Sequence, residues 1–114
     1  MIKIYTDGCS RGNPGPGGYC AILKYNDYEK ILKKGFQITT NNRMELLAVI
    51  DGLMEIKDKS IPITVYSDSK YVVDSISKGW LSSWRKNNFK GKKNIDLWKK
   101  YIEISQDLSI KFVW

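Results

Sequence analysis

The chain has 114 residues, of which 42% are hydrophobic and 27% charged, a balance typical of one folded domain and too apolar for a disordered protein. The absence of histidine and the presence of only two cysteines, Cys9 and Cys20, argue against a zinc site and against a disulfide framework. Nineteen Lys and Arg residues against twelve Asp and Glu residues give a net charge of +7. This charge favours a polyanionic partner such as nucleic acid, although a solvated lysine-rich surface would produce the same balance.

The sequence gives no sign of a membrane protein. No apolar run approaches the roughly 20 residues that cross a bilayer, and the start of the chain, Met1 to Tyr5, lacks the layout of a signal peptide. We therefore expect one domain covering residues 1–114, without membrane association and located in the cytoplasm.

The first forty residues predict an antiparallel meander of three strands. Residues 2–7 alternate between two faces, as a strand requires, while the run Gly12–Gly18 is expected to be loop because of its glycines and prolines. Residues 19–25 and 28–38 predict two further strands, separated by the turn dipeptide Asn26-Asp27.

The remaining residues predict alternating helices and strands. Apolar residues at helical spacing predict a helix from Arg43 to Lys57, capped by Asn42, and alternation over residues 61–68 predicts a fourth strand. A helix is expected from Ser69, another after Asn94 as its cap, and a fifth strand over residues 110–114. This order predicts an α/β fold, with a five-stranded mixed sheet (an antiparallel meander, then parallel strands) and helices covering its faces.

Three carboxylates fall where this topology brings elements together. Asp7 and Asp68 are predicted to end neighbouring strands, and Glu45 lies in the first turn of the helix that leads into the Asp68 strand. Converging carboxylates repel one another unless a cation lies among them, and Mg²⁺ prefers oxygen ligands. Each acid also has a simpler interpretation: a turn at Asp7-Gly8, a capping box for Glu45, and a helix cap for Asp68.

Three motifs in order and spacing resemble bacterial type 1 ribonuclease H (ribonuclease HI), and the resemblance covers effectively the whole chain. They are Thr6-Asp7-Gly8-Cys9-Ser10 with the following Gly12–Gly18 run, Thr40-Asn41-Asn42-Arg43-Met44-Glu45-Leu46, and Ser67-Asp68-Ser69-Lys70-Tyr71-Val72. The resemblance implies a metal-dependent endoribonuclease that hydrolyses the RNA strand of an RNA–DNA hybrid by a two-metal mechanism. It implies Asp7, Glu45 and Asp68 as catalytic ligands of Mg²⁺, or of Mn²⁺.

The resemblance also implies a set of contacts to the hybrid. Ser10 and Asn13 belong to a loop that lies against substrate in the family, Asn41, Asn42 and Arg43 start a helix, and Lys70 lies near Asp68. A cluster similar to the family's basic protrusion contains Trp80, Trp84, Arg85, Lys86, Lys90, Lys92 and Lys93. Within this cluster we expect the tryptophans mainly to pack and the cations mainly to bind.

The sequence departs from the family pattern after the fifth strand. In the family a loop with glycine and histidine follows, and then a helix that begins with a fourth carboxylate; neither is present, so the final helix is absent from the expected fold. A shortened chain is the favoured explanation, a naturally short product or a completing partner chain remain alternatives, and a homodimer or domain swap is left open. The alternative function is a hybrid-binding module without catalysis.

Overall fold

A computed structural model describes residues 1–114, which form one five-stranded sheet and four helices. The strands are β1 (Ile2–Ser10), β2 (Gly15–Tyr25), β3 (Tyr28–Thr39), β4 (Ile63–Tyr66) and β5 (Ile110–Val113); the helices are α1 (Asn41–Met54), α2 (Lys70–Ser77), α3 (Trp80–Lys86) and α4 (Ile95–Ser105). None of the helices combines the length and the apolarity needed to cross a bilayer.

The order across the sheet is β3-β2-β1-β4-β5. β1 pairs antiparallel with β2, and β2 with β3, whereas β4 pairs parallel with β1 and with β5. The α/β class and the five-stranded mixed sheet predicted from the sequence are therefore confirmed.

The first connection is shorter than the sequence predicted. β1 continues past Asp7 to Ser10 because its ladder with β2 extends to the pair Ser10 and Gly17. The stretch from Gly15 to Gly18 thus belongs to β2 and is not loop. Glycine permits this close pairing: a Cβ on Gly18 would lie 2.7 Å from the carbonyl oxygen of Lys34.

Several predicted element boundaries are wrong by a few residues. α1 begins at Asn41, and its cap is Thr40, whose hydroxyl accepts a hydrogen bond from the Arg43 amide at 3.2 Å, so Asn42 is not the cap. The same helix ends at Met54 and not at Lys57. Asn94 does occupy the capping position of α4, but in a left-handed conformation and without a side-chain capping bond.

The core lies on one face of the sheet. Ile4 of β1 and Val65 of β4 are fully buried there against residues of the helices, among them Trp98 of α4, whose indole N–H donates to the Tyr71 hydroxyl at 2.8 Å. Burying a large apolar side chain contributes roughly 2 kcal/mol, so this face dominates folding. The sequence predicted helices on both faces of the sheet, but the helices do not cover both. On the open face Tyr5 and Tyr66 stack at 4.7 Å.

Candidate metal site and nucleic-acid groove

Two of the three predicted acids flank a gap between β1 and β4. The parallel ladder between these strands ends at the pair Tyr5 and Tyr66, while Asp7 follows in the part of β1 that pairs only with β2. Asp68 lies just after β4, which ends at Tyr66. The sequence predicted that each acid is the last residue of its strand, which is wrong. Both acids nevertheless lie where the two parallel strands separate.

Glu45 reaches the same gap from α1, which crosses β1 closely at Gly8. A Cβ on Gly8 would lie 2.6 Å from the carbonyl carbon of Met44 and 2.8 Å from the amide nitrogen of Glu45, so only glycine allows this approach. The Gly8 backbone amide lies close enough to the Glu45 carboxylate to lower the pKa of that carboxyl. Strand and helix are therefore in close contact at the site itself.

One carboxylate oxygen from each of Asp7, Glu45 and Asp68 lies within 4.8 Å of the others. Asp7 and Asp68 are exposed, whereas Glu45 is buried and its Oε2 atom has no hydrogen-bond partner. Burial, together with the charge of Asp68 and, less, of Asp7, raises the pKa of Glu45 to about 7, against the lowering effect of the Gly8 amide. An unpartnered buried oxygen among like charges fits a bound cation, and a set of oxygen donors suits a hard divalent ion such as Mg²⁺ or Mn²⁺.

The simpler interpretations of these acids do not agree with the geometry. Asp7 lies within a strand and not in a turn. Because Thr40 is the cap of α1, Glu45 is too far along the helix for a capping box. The cap of α2 is Ser69, whose hydroxyl accepts from the Val72 amide at 3.2 Å, and not Asp68.

A network of amides beside the acids ties the loop after β1 to the start of α1. The Asn41 Oδ1 atom accepts from the Ser10 amide at 2.5 Å, and the Asn13 Oδ1 atom accepts from the Asn41 amide at 2.9 Å. The Ser10 hydroxyl completes the network by donating to the carbonyl oxygen of Gly12 at 2.6 Å. Both side-chain amide oxygens are thus used within the protein, and their N–H groups remain for a ligand.

A groove of about 630 Å³ begins at this network and extends toward α4. One bank is formed by the loop and the start of α1, and the other by Trp84 and the segment that precedes α4. The lining residues are Asn13, Thr40, Asn41, Asn42, Tyr71, Trp84, Gly91, Lys92, Lys93 and Asn94. Its polar and cationic lining suits a ligand with phosphates and sugars.

The basic and aromatic cluster divides between this groove and other surfaces. Trp84 packs its edge on Trp98 with ring centroids 5.8 Å apart, and Lys92 lies over the Trp84 ring at 4.9 Å. Trp80 is 44% exposed, so it packs only in part. Arg85 lines a separate hollow on the other side of α3. The remaining predicted cations, Lys70, Lys86 and Lys90, are exposed and line none of the described hollows.

Arg43 is engaged inside the protein. Its two terminal nitrogens donate to the two carboxylate oxygens of Asp96 at 3.0 and 2.6 Å, and one of them also approaches Asn94 Oδ1 at 3.4 Å. This hydrogen bonding raises the pKa of Arg43 and lowers the pKa of Asp96. The guanidinium predicted to contact a ligand therefore has a bidentate partner of its own.

Four residues of the groove were not predicted from the sequence as ligand contacts: Thr40, Tyr71, Gly91 and Asn94. Thr40 and Tyr71 lie next to predicted positions, in the same motifs as Asn41 and Lys70, and Gly91 lies between Lys90 and Lys92 of the basic cluster. Asn94 stood out only as a helix cap, and its position in the groove follows from long-range packing of Tyr71, Trp98 and α1.

Three carboxylates that converge on a mixed sheet, together with a groove lined by amides and lysines, are typical of a metal-dependent nuclease. The chain belongs to the ribonuclease H family, because the family model described as RNase H matches residues 1–114. It is 52% identical over 113 residues to ribonuclease HI of Helicobacter pylori (strain ATCC 700392 / 26695), covering 99% of this chain and 78% of that protein. Ribonuclease H of Rippkaea orientalis is 46% identical over 118 residues, covering 99% and 72%.

Solved structures agree with this assignment. LC9-RNase H1, a type 1 RNase H with the type 2 active-site motif, superposes with a TM-score of 0.83 at 25% identity, covering 99% of this chain and 61% of that one. LC11-RNase H1 in complex with RNA/DNA hybrid gives 0.73 at 25% identity, covering 99% and 83%. The family and the enzyme class expected from the three motifs are confirmed.

Proposed function

We propose that this protein hydrolyses the RNA strand of RNA–DNA hybrids, with Asp7, Glu45 and Asp68 as ligands of Mg²⁺ and with Mn²⁺ as a substitute. The observation that carries the proposal is the unpartnered Oε2 atom of buried Glu45 within a group of three carboxylates. Without a cation such an arrangement costs folding free energy, so its retention in the fold argues for an ion.

The relatives support the choice of substrate. The curated proteins similar to this chain are named ribonuclease H or ribonuclease HI, and one similar structure holds an RNA/DNA hybrid. The net charge of +7 and the lysines of the groove suit a duplex whose two strands both carry phosphates.

The chemistry fits a chain without histidine. Two divalent ions, when bound, would polarise the scissile phosphate and neutralise charge on the attacking and leaving oxygens of an in-line displacement. The protein contributes the geometry: Asp7 on β1 and Asp68 just after β4 hold the exposed side of the site, and Glu45 on α1 holds its buried side. The Gly8 backbone amide beside the Glu45 carboxylate favours its charged form.

The groove would place the hybrid over the acids. The side-chain N–H groups of Asn13 and Asn41 can donate to ribose hydroxyls and phosphates of one strand. Lys92 and Lys93, on the opposite bank, suit the phosphates of the other strand.

The test is cleavage of an end-labelled RNA–DNA hybrid in Mg²⁺ by Asp7→Asn. We expect the cleavage rate to fall by at least about a thousandfold, because the variant loses a group that stabilises charge in the transition state. Hybrid binding in EDTA should be retained. Asp27→Asn, which removes the same charge from the turn between β2 and β3, is the matched control and should cleave normally. Unchanged cleavage by Asp7→Asn would refute the proposal, and binding without cleavage by the unaltered protein would favour the hybrid-binding module.

A further inference from the structure

The two banks of the groove are connected at their base by Arg43. Arg43 belongs to the first turn of α1, which carries Asn41 on one bank. Its guanidinium holds Asp96, in the first turn of α4, and contacts Asn94, the last residue of the opposite bank. These contacts span 51 and 53 positions of the sequence, so no local structure provides the same link.

The bank that Arg43 holds has little regular structure of its own. Between α3 and α4, residues 87–94 form successive turns, and Asn88, Phe89, Gly91 and Asn94 have positive φ values. Phe89 is buried and anchors the middle of this segment, while Lys92 and Lys93 face the groove. The end of the segment is fixed through Asn94, which also donates to the Tyr71 hydroxyl at 3.4 Å.

We propose that Arg43 and Asp96 form a positioning pair that fixes residues 87–94 relative to α1, and so sets the affinity of the groove for the hybrid. The affinity part of this inference rests on the proposed function. Arg43 then acts through the placing of Lys92 and Lys93, and it does not itself touch a phosphate. A planar guanidinium with both carboxylate oxygens as partners gives a fixed orientation that a lysine cannot reproduce.

Direct contact and positioning predict opposite results for Asp96→Asn. If Arg43 bound a phosphate, removal of the competing Asp96 charge would release the guanidinium and strengthen hybrid binding. If the pair positions the lysine-bearing segment, the same substitution loosens that segment and weakens binding. Arg43→Lys also distinguishes the two roles, because it keeps the positive charge and loses the bidentate geometry. Direct contact predicts that binding is retained, and positioning predicts that it is weakened.

The experiment measures hybrid affinity in EDTA and steady-state cleavage in Mg²⁺ for both variants. We expect Kd and KM to rise on the order of tenfold in each, from displacement of the binding groups, with the effect in KM and not in kcat. Asp107→Asn, which breaks the exposed pair with Lys59 at 3.5 Å away from the groove, is the matched control and should match the wild type. Tighter binding by Asp96→Asn, or wild-type affinity in Arg43→Lys, would overturn the proposal.

Limited trypsin digestion tests the positioning without any hybrid. Cleavage after Lys90, Lys92 and Lys93 should accelerate in both variants relative to cleavage at Lys33 and Lys34 of β3, which corrects for global unfolding. Equal relative rates in wild type and variants would contradict the positioning. A wild-type protein that binds no hybrid would refute the proposed function instead, and the digestion rates alone would then decide whether the pair holds the segment.

Discussion

Gly8 and Glu45 meet where β1 passes under the second turn of α1, and the backbone amide of Gly8 lowers the pKa of the Glu45 carboxyl. The same glycine leaves no room for a side chain, since a Cβ would lie 2.8 Å from the Glu45 amide nitrogen. One position therefore controls how closely the helix that carries the buried acid approaches the strand.

Gly8→Ala should destabilise the protein and disable the site together. The added methyl group would push α1 away from β1, which costs roughly 1–3 kcal/mol as overpacking does in a filled interior, and it would move Glu45 from Asp7 and Asp68. Urea unfolding and hybrid cleavage measure the two effects. Gly35→Ala is the control, because a Cβ there meets nothing closer than 3.9 Å; equal losses in both variants would contradict this account of Gly8.

Glu45→Gln should stabilise the protein when no metal is present. At pH 8 the carboxylate is ionised above its pKa of about 7, buried, and close to two other acids, so a neutral amide removes repulsion worth about 1 kcal/mol or more, or roughly 4 °C in Tm. The wild type should gain stability with added Mg²⁺, and the variant should gain much less. Thermal unfolding measures both, with Glu103→Gln on α4 as control; a lower Tm for metal-free Glu45→Gln would contradict the prediction.

Asn41→Asp should weaken hybrid binding while leaving the loop after β1 in place. A carboxylate oxygen can still accept from the Ser10 amide, as the amide oxygen does at 2.5 Å, but the side-chain N–H donor is lost and a negative charge is added. We expect Kd to rise at least about tenfold, which is 1.4 kcal/mol. Asn26→Asp in the turn after β2 adds the same charge elsewhere, so a comparable loss in that variant would show a general charge effect.

Lys92→Ala combined with Lys93→Ala should lower the salt dependence of hybrid binding. Each cation that neutralises one phosphate contributes about 0.9 to the slope of log K against log salt concentration, so the double variant should lose nearly 2. Titrations at several salt concentrations give the slope. Lys57→Ala combined with Lys59→Ala, beyond the end of α1, should leave it unchanged, and an unaltered slope for the groove variant would place those phosphates elsewhere.

The stability contributed by Asp96 should disappear in acid. The Arg43 hydrogen bond lowers the pKa of Asp96 below its ordinary value of 3.8, so the folded protein holds that proton less tightly than the unfolded chain. The contribution is present above pH 3.8 and is lost as pH falls through the lower folded pKa. Asp96→Asn should thus be less stable than wild type at pH 6, by up to about 1 kcal/mol for an exposed pair, and the difference should shrink as the pH falls below 3.8; a difference independent of pH would contradict this.

The sequence predicted the five-stranded mixed sheet and the meeting of three acids because these depend on local periodicity and on the crossover rule for parallel strands. It misplaced the C-terminal end of β1, because a glycine-rich segment can form either a loop or a strand, and the cap of α1, because Thr40 and Asn42 are both residues that cap helices. It did not reveal that Arg43 pairs with Asp96, because only tertiary packing brings these two residues together. The roles of the site residues, and a homodimer or domain swap, stay predictions.

The internal use of the Asn13 and Asn41 oxygen atoms has a consequence for selectivity. The groups that remain free at the loop and the start of α1 are hydrogen-bond donors. They can bind the oxygen lone pairs of any sugar or phosphate, so this binding does not depend on the identity of a base. We expect the preferred cleavage positions to depend on the width and curvature of the double helix, and to depend very little on its base sequence.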